Sequence, residues 1–92
     1  MKWKMRFLNL AEIWHDNKED KQTVLKKISE YLKNKEKIVT KHLGFDAWFE
    51  LEEITLNIEE AEQYDTVEDC ASDIYDWADT WRVWIEPTKQ IR

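Results

Sequence analysis

The chain has 92 residues and a formal net charge of −6, with 42% hydrophobic and 13% aromatic residues, six of them Trp. That is enough apolar surface to close one core and too little chain for two, which excludes wholesale disorder and a multidomain plan. One Cys cannot form an internal bridge, and no apolar run approaches the roughly 20 residues that cross a bilayer, so a disulfide scaffold and a membrane span are excluded as well.

Residues 2–8 alternate cationic with large apolar side chains, so a strand puts Trp3, Met5 and Phe7 on one face. Lys2, Lys4 and Arg6 are interleaved with those residues and do not precede a continuous apolar stretch. The opening therefore does not read as a secretory leader, and the cytoplasm is the expected compartment. From Asn9 to Asp16, Leu10, Ile13 and Trp14 have helical spacing, but for a turn or two only. The polar run from Asp16 to Asp20 supplies capping side chains for a helix in which Val24, Ile28, Tyr31 and Lys35 mark a narrow stripe. This basic helical region carries Lys26, Lys27, Lys33, Lys35, Lys37 and Lys41, and it is expected to end at Gly44, the single glycine, in a left-handed conformation.

At Gly44 the charge changes sign. Residues 1–42 hold 11 Lys and Arg against 6 Asp and Glu, whereas residues 43–92 hold 3 against 14. Asp46 can cap a segment whose Trp48, Leu51, Thr55 and Ile58 recur at helical intervals, although Ile54, Leu56 and Ile58 also fit the alternation of a strand. Glu at positions 50, 52, 53, 59, 60 and 62 favours the helix. The clearest element comes next. Thr66 and Asp69 make a capping-box pattern, and Val67, Cys70, Ile74, Trp77 and Trp81 form an apolar stripe with Ala71 and Ala78 on its shoulder. Asp65, Glu68, Asp69, Asp73, Asp76 and Asp79 occupy the far side of the same wheel. Arg82 to Glu86 reads as a short strand stopped by Pro87, with residues 87–92 a frayed tail. The expected fold is α+β: one domain over residues 1–92, with about three helices packed on a minimal two-stranded sheet formed by the N- and C-terminal strands, whose Trp residues meet across it.

Residue types for catalysis are scarce. Ser29 and Ser72 are the only serines, both inside expected helices without a neighbouring base or a glycine elbow. Cys70 lies on the apolar stripe and reads as core. A lone glycine excludes the Walker phosphate loop and the dinucleotide fingerprint. His15-Asp16 is the one adjacent His–acid pair, His42 is the only other histidine, and the acidic clusters lack calcium-loop spacing. No enzyme, cofactor or metal is expected.

Binding is the remaining class of function. The carboxylates of the last helix, joined by Glu59, Glu60 and Glu62 and rimmed by Tyr64 and Tyr75, form an anionic surface suited to a basic patch on another protein. The alternatives are nucleic-acid binding through the lysine-rich helix, which the acidic half opposes, and a homodimer, because six Trp are many for one small core.

Two segments add a resemblance. Phe7-Leu8-Asn9-Leu10-Ala11-Glu12-Ile13-Trp14-His15-Asp16 and Ile74-Tyr75-Asp76-Trp77-Ala78-Asp79-Thr80-Trp81-Arg82-Val83-Trp84-Ile85 resemble the two ends of small bacteriophage-encoded proteins. Those share an LNLxEIWH opening and a YDxADxxRVWI ending separated by helical, charged segments. The resemblance implies a phage or prophage setting and a non-catalytic accessory protein that binds and modulates a host or phage protein, such as a host-defence or nucleic-acid-processing factor. The expected contact residues are Asp65, Glu68, Asp69, Asp73, Tyr75, Asp76, Asp79 and Arg82, with Trp14 beside them.

Overall fold

The computed structural model describes residues 2–15 and 19–86. In chain order the elements are β1 (Met5–Phe7), α1 (Leu10–His15), α2 (Lys21–Lys33), α3 (Glu36–Leu43), α4 (Phe45–Glu59), α5 (Val67–Trp81) and β2 (Val83–Ile85). The two end strands pair as the alternation implied, and they run parallel, with Met5, Arg6 and Phe7 opposite Val83, Trp84 and Ile85. Parallel neighbours require a long crossover, and helices α1 to α5 lie within it. The Lys4 N–H donates to the Arg82 carbonyl at 2.8 Å and the Glu86 N–H to the Phe7 carbonyl at 2.7 Å, which carries the pairing one step beyond each end of the ladder. Across this sheet the rings of Trp3 and Trp84 lie 5.0 Å apart. Pro87 and the tail to residue 92, like Asp16, fall outside the described residues.

The described residues form five helices where about three were expected, for two local reasons. The segment after β1 forms a short helix of its own, reached through Asn9 at φ 66°, a left-handed position that Asn tolerates better than most residues. The lysine-rich region breaks at Asn34 and Lys35, where the Asn34 and Lys35 N–H groups fold back onto the carbonyls of Glu30 and Leu32. Lys35 therefore does not continue the α2 stripe; its ammonium sits 4.9 Å from the centre of the Tyr31 ring. After the break α3 buries Val39 and packs on α4.

Helix boundaries follow the capping chemistry with two corrections. The Asp20 carboxylate accepts the Thr23 N–H at 2.8 Å, and the Thr66 hydroxyl accepts the Asp69 N–H at 3.1 Å. Asp46, by contrast, is not a cap. It sits in the first turn of α4, whose capping position is Gly44, with no side-chain bond. Gly44 has φ 98° and ψ 172°, so its φ is positive, as the sequence implies, but its conformation is the extended, glycine-specific region and not the left-handed helix. That geometry lets one residue close α3, through its N–H to Thr40, and open α4, through its carbonyl to Trp48. The helix-or-strand ambiguity of 54–58 is resolved by burial. Ile54 and Ile58 are inside while Leu56 is 44% exposed, an arrangement a strand would forbid because it puts all three on one face.

One continuous core runs from Met5 and Phe7 through α2 and α4 to Ile74, Trp77, Val83 and Ile85. Phe7 is its pivot: its ring stacks on Trp77 and meets Tyr31 edge-on, each 5.7 Å away. The Trp77 indole N–H donates to the Ala47 carbonyl at 2.8 Å and bolts α5 to α4. Trp14, Trp48 and Trp77 are buried, and Trp3, Trp81 and Trp84 are half-buried. The core thus covers three of the indoles fully and three in part. No helix among the described residues is long and apolar enough to cross a membrane.

Candidate functional site

α5 owes its two faces to its sequence. Its stripe of Val67, Cys70, Ile74 and Trp77 is buried, and Glu68, Asp69, Asp73 and Asp76 are exposed. Glu68 and Asp69 occupy the first turn, where their charge also favours the positive end of the helix dipole. Further along, Asp73 and Asp76 face α4. With Glu50 and Glu53 of that helix they line a groove of about 370 Å³, whose other lining residues are Ile54, Asn57, Trp77 and Thr80. Both walls of this groove are anionic. In the sequence, Glu50 and Glu53 read only as helix formers. Their spacing of three, on the flank of the buried Ala47–Ile54 face, was the signal that they share one side of α4.

The remaining candidates are dispersed around α5. Asp65 precedes the helix, and Asp79 is half-buried and not free. Tyr75 is half-buried, with its ring edge-on to Trp14 at a centroid separation of 5.1 Å. These two aromatics, His15, Glu68, Ala71, Ser72 and Asp76 line a second recess between α1 and α5. Arg82 lies at the opposite end of α5 from Asp65. Its φ of 60° and ψ of 49° make it the left-handed cap, with its N–H on the Ala78 carbonyl.

Three assignments need correction. Trp14 is only 4% exposed and packs in the core instead of on a contact surface. Tyr64 does not rim the acidic face. It is buried, its hydroxyl donates to Asp73 at 2.9 Å, and burial followed by that hydrogen bond pushes its pKa well above the usual phenol range. Glu59 does not extend the acidic surface either. It accepts hydrogen bonds from Lys33 and from the hydroxyl of buried Ser29, which together hold its carboxyl below the ordinary value. Glu59 thus belongs to the seam between α2 and α4.

No protein-family model, curated protein or solved structure matches the chain.

Charge is sorted accordingly. Of the α2 lysines, Lys27 pairs with Glu19 and Lys33 with Glu59, while Lys21 donates to the Tyr64 carbonyl at 3.3 Å. Lys27, Lys33 and Lys35 are engaged by Glu19, Glu59 and the Tyr31 ring, which draws half of the expected lysine set into contacts within the chain. Cys70 is buried, and burial together with the charge of Asp73 pushes its thiol up to about 12, so it is a poor nucleophile at neutral pH. Among the described residues, no group of three or more His, Cys, Asp or Glu is arranged to hold a metal ion.

Proposed function

We propose that the protein is a non-catalytic accessory protein that binds a basic surface of another protein through the acidic side formed by α5 and the neighbouring edge of α4, and so modulates that partner. The supporting observation is the groove lined by Glu50, Glu53, Asp73 and Asp76, while Lys27 and Lys33 are paired with Glu19 and Glu59. Carboxylates on two packed helices create a concentrated negative field that speeds encounter with a cationic patch and repels nucleic acid. The likeness of the chain's two ends to phage-encoded proteins favours a host or phage protein as the partner, in the cytoplasm of a bacterial cell.

The test is affinity capture from a bacterial lysate with the native protein and with the variant Glu50→Gln, Glu53→Gln, Asp73→Asn, Asp76→Asn, followed by mass spectrometry. A basic protein should be retained by the first and released by the second, with retention falling as salt rises, because exposed charges are screened beyond about 8 Å at physiological ionic strength. Equal retention by both proteins would refute the reading.

A further inference from the structure

The outer face of α4 is unusual for a surface helix. Phe45, Phe49 and Leu56 are 66%, 58% and 44% exposed, and the two rings lie against each other with centroids 6.2 Å apart. At the helical repeat, the three positions fall within a sector of about 40°, turned away from the buried face of Ala47, Leu51, Ile54 and Ile58. Glu50 and Glu53, which also line the groove against α5, border this stripe on one side.

We propose that the stripe and the acidic groove together hold an amphipathic helix of the partner protein. Its apolar residues would cover Phe45, Phe49 and Leu56, and its Lys or Arg side chains would meet Glu50, Glu53, Asp73 and Asp76. The inference rests on the basic-partner reading above and adds the form of the partner. Area and charge select this occupant. With side chains of ordinary size the stripe exposes roughly 300 Å², well short of the ~800 Å² per partner of a stable interface. An occupant must therefore cover the bordering carboxylates too, which demands cations. A second copy in two-fold pairing would set these acids against each other. The same carboxylates oppose an anionic lipid surface. A helix with apolar residues along one face and cations at the edges satisfies both parts of the surface.

The probes are two short fluorescein-labelled Leu/Lys peptides of identical composition, one with its leucines on a single helical face and one scrambled. Each is titrated by anisotropy with the native protein and with Phe45→Ala/Phe49→Ala, whose exposed positions leave the core intact and whose fold is checked by circular dichroism. The patterned peptide should bind the native protein about tenfold tighter than the scrambled one, the scale expected for anchor side chains, and the double variant should abolish that difference. Equal binding of the two peptides, or an unaffected double variant, overturns the helix proposal and leaves the acidic-surface reading standing. Failure of both peptides to bind the native protein overturns both. The proposal also fails if the native protein sediments as a dimer that the double variant disperses, or if it cosediments with phosphatidylglycerol vesicles in a way the double variant abolishes.

Discussion

Single residues in this small domain carry conformational duties that are separable from packing. At Gly44, a Cβ would meet nothing within 4 Å, so the obstacle to substitution is the backbone, at φ 98°. Gly44→Ala should accordingly destabilise by about 1–3 kcal/mol, the cost of a non-glycine residue in a sparsely populated region, without opening a cavity. Urea denaturation would show this as a lower midpoint at unchanged slope. Cys70 makes the opposite point: its backbone is ordinary helix and its environment decides its behaviour. With its thiol pushed up to about 12 and fully buried, it should react with an aromatic disulfide reagent at pH 8 only as fast as the protein unfolds, and immediately in denaturant. Rapid reaction of the folded protein would contradict the packing of α5. Arg82 combines a structural backbone with an exposed side chain. Its N–H bonds to the Ala78 carbonyl and its own carbonyl accepts from Lys4, so the left-handed cap belongs to the fold whatever the side chain contacts.

Elements are joined by a few specific contacts laid over hydrophobic packing. α2 and α4 meet at the Ser29–Glu59–Lys33 cluster, in which a fully buried hydroxyl and an exposed ammonium share one carboxylate. Because these partners lower the folded-state pKa of Glu59 from its ordinary value of 4.5, the cluster stabilises the fold above that value. Its contribution is lost as pH falls through the lower, folded-state value. Glu59→Gln should flatten this part of the acid limb in stability measured from pH 7 to pH 3. The effect at neutral pH should be modest, no more than about 1 kcal/mol for an ion pair this exposed. A variant with an unchanged acid limb would show that the cluster does not persist in solution. At α5, the apolar stripe and Thr66 cap were legible in sequence because local periodicity and capping are set within one element. The break between α2 and α3 was not. Lysine and glutamate on both sides of Asn34 are good helix formers, and the turn gains its stability from burying Val39 against α4.

At the scale of the whole molecule, the two ends of the chain are its structural centre. Phe7, from the first strand, is fully buried and touches Trp77 of α5 and Tyr31 of α2, so it links the parallel sheet to both helical layers. Phe7→Ala should cost about 3–5 kcal/mol, a large part of the 5–15 kcal/mol by which domains of this kind are stable. Thermal and urea unfolding would register it as a steep loss of midpoint, whereas Phe45→Ala/Phe49→Ala on the exposed face of α4 should leave the midpoint nearly unchanged. That contrast separates the apolar residues that hold the fold from those that face the solvent.

Strand ends, a helical middle, a buried Cys70 and an acidic α5 all follow from patterns contained within single segments, where side-chain period and capping chemistry decide the outcome. Relations between segments are of another kind. The parallel sense of the sheet, the meeting of Glu50 and Glu53 with Asp73 and Asp76, and the diversion of Glu59 to Lys33 depend on which helix faces pack together. Trp14 and Tyr64 turned out to be interior for the same reason. Amphipathicity tells each helix which face to bury but not against which neighbour, so only the packed structure decides which charges share a groove and which aromatic rings remain in water.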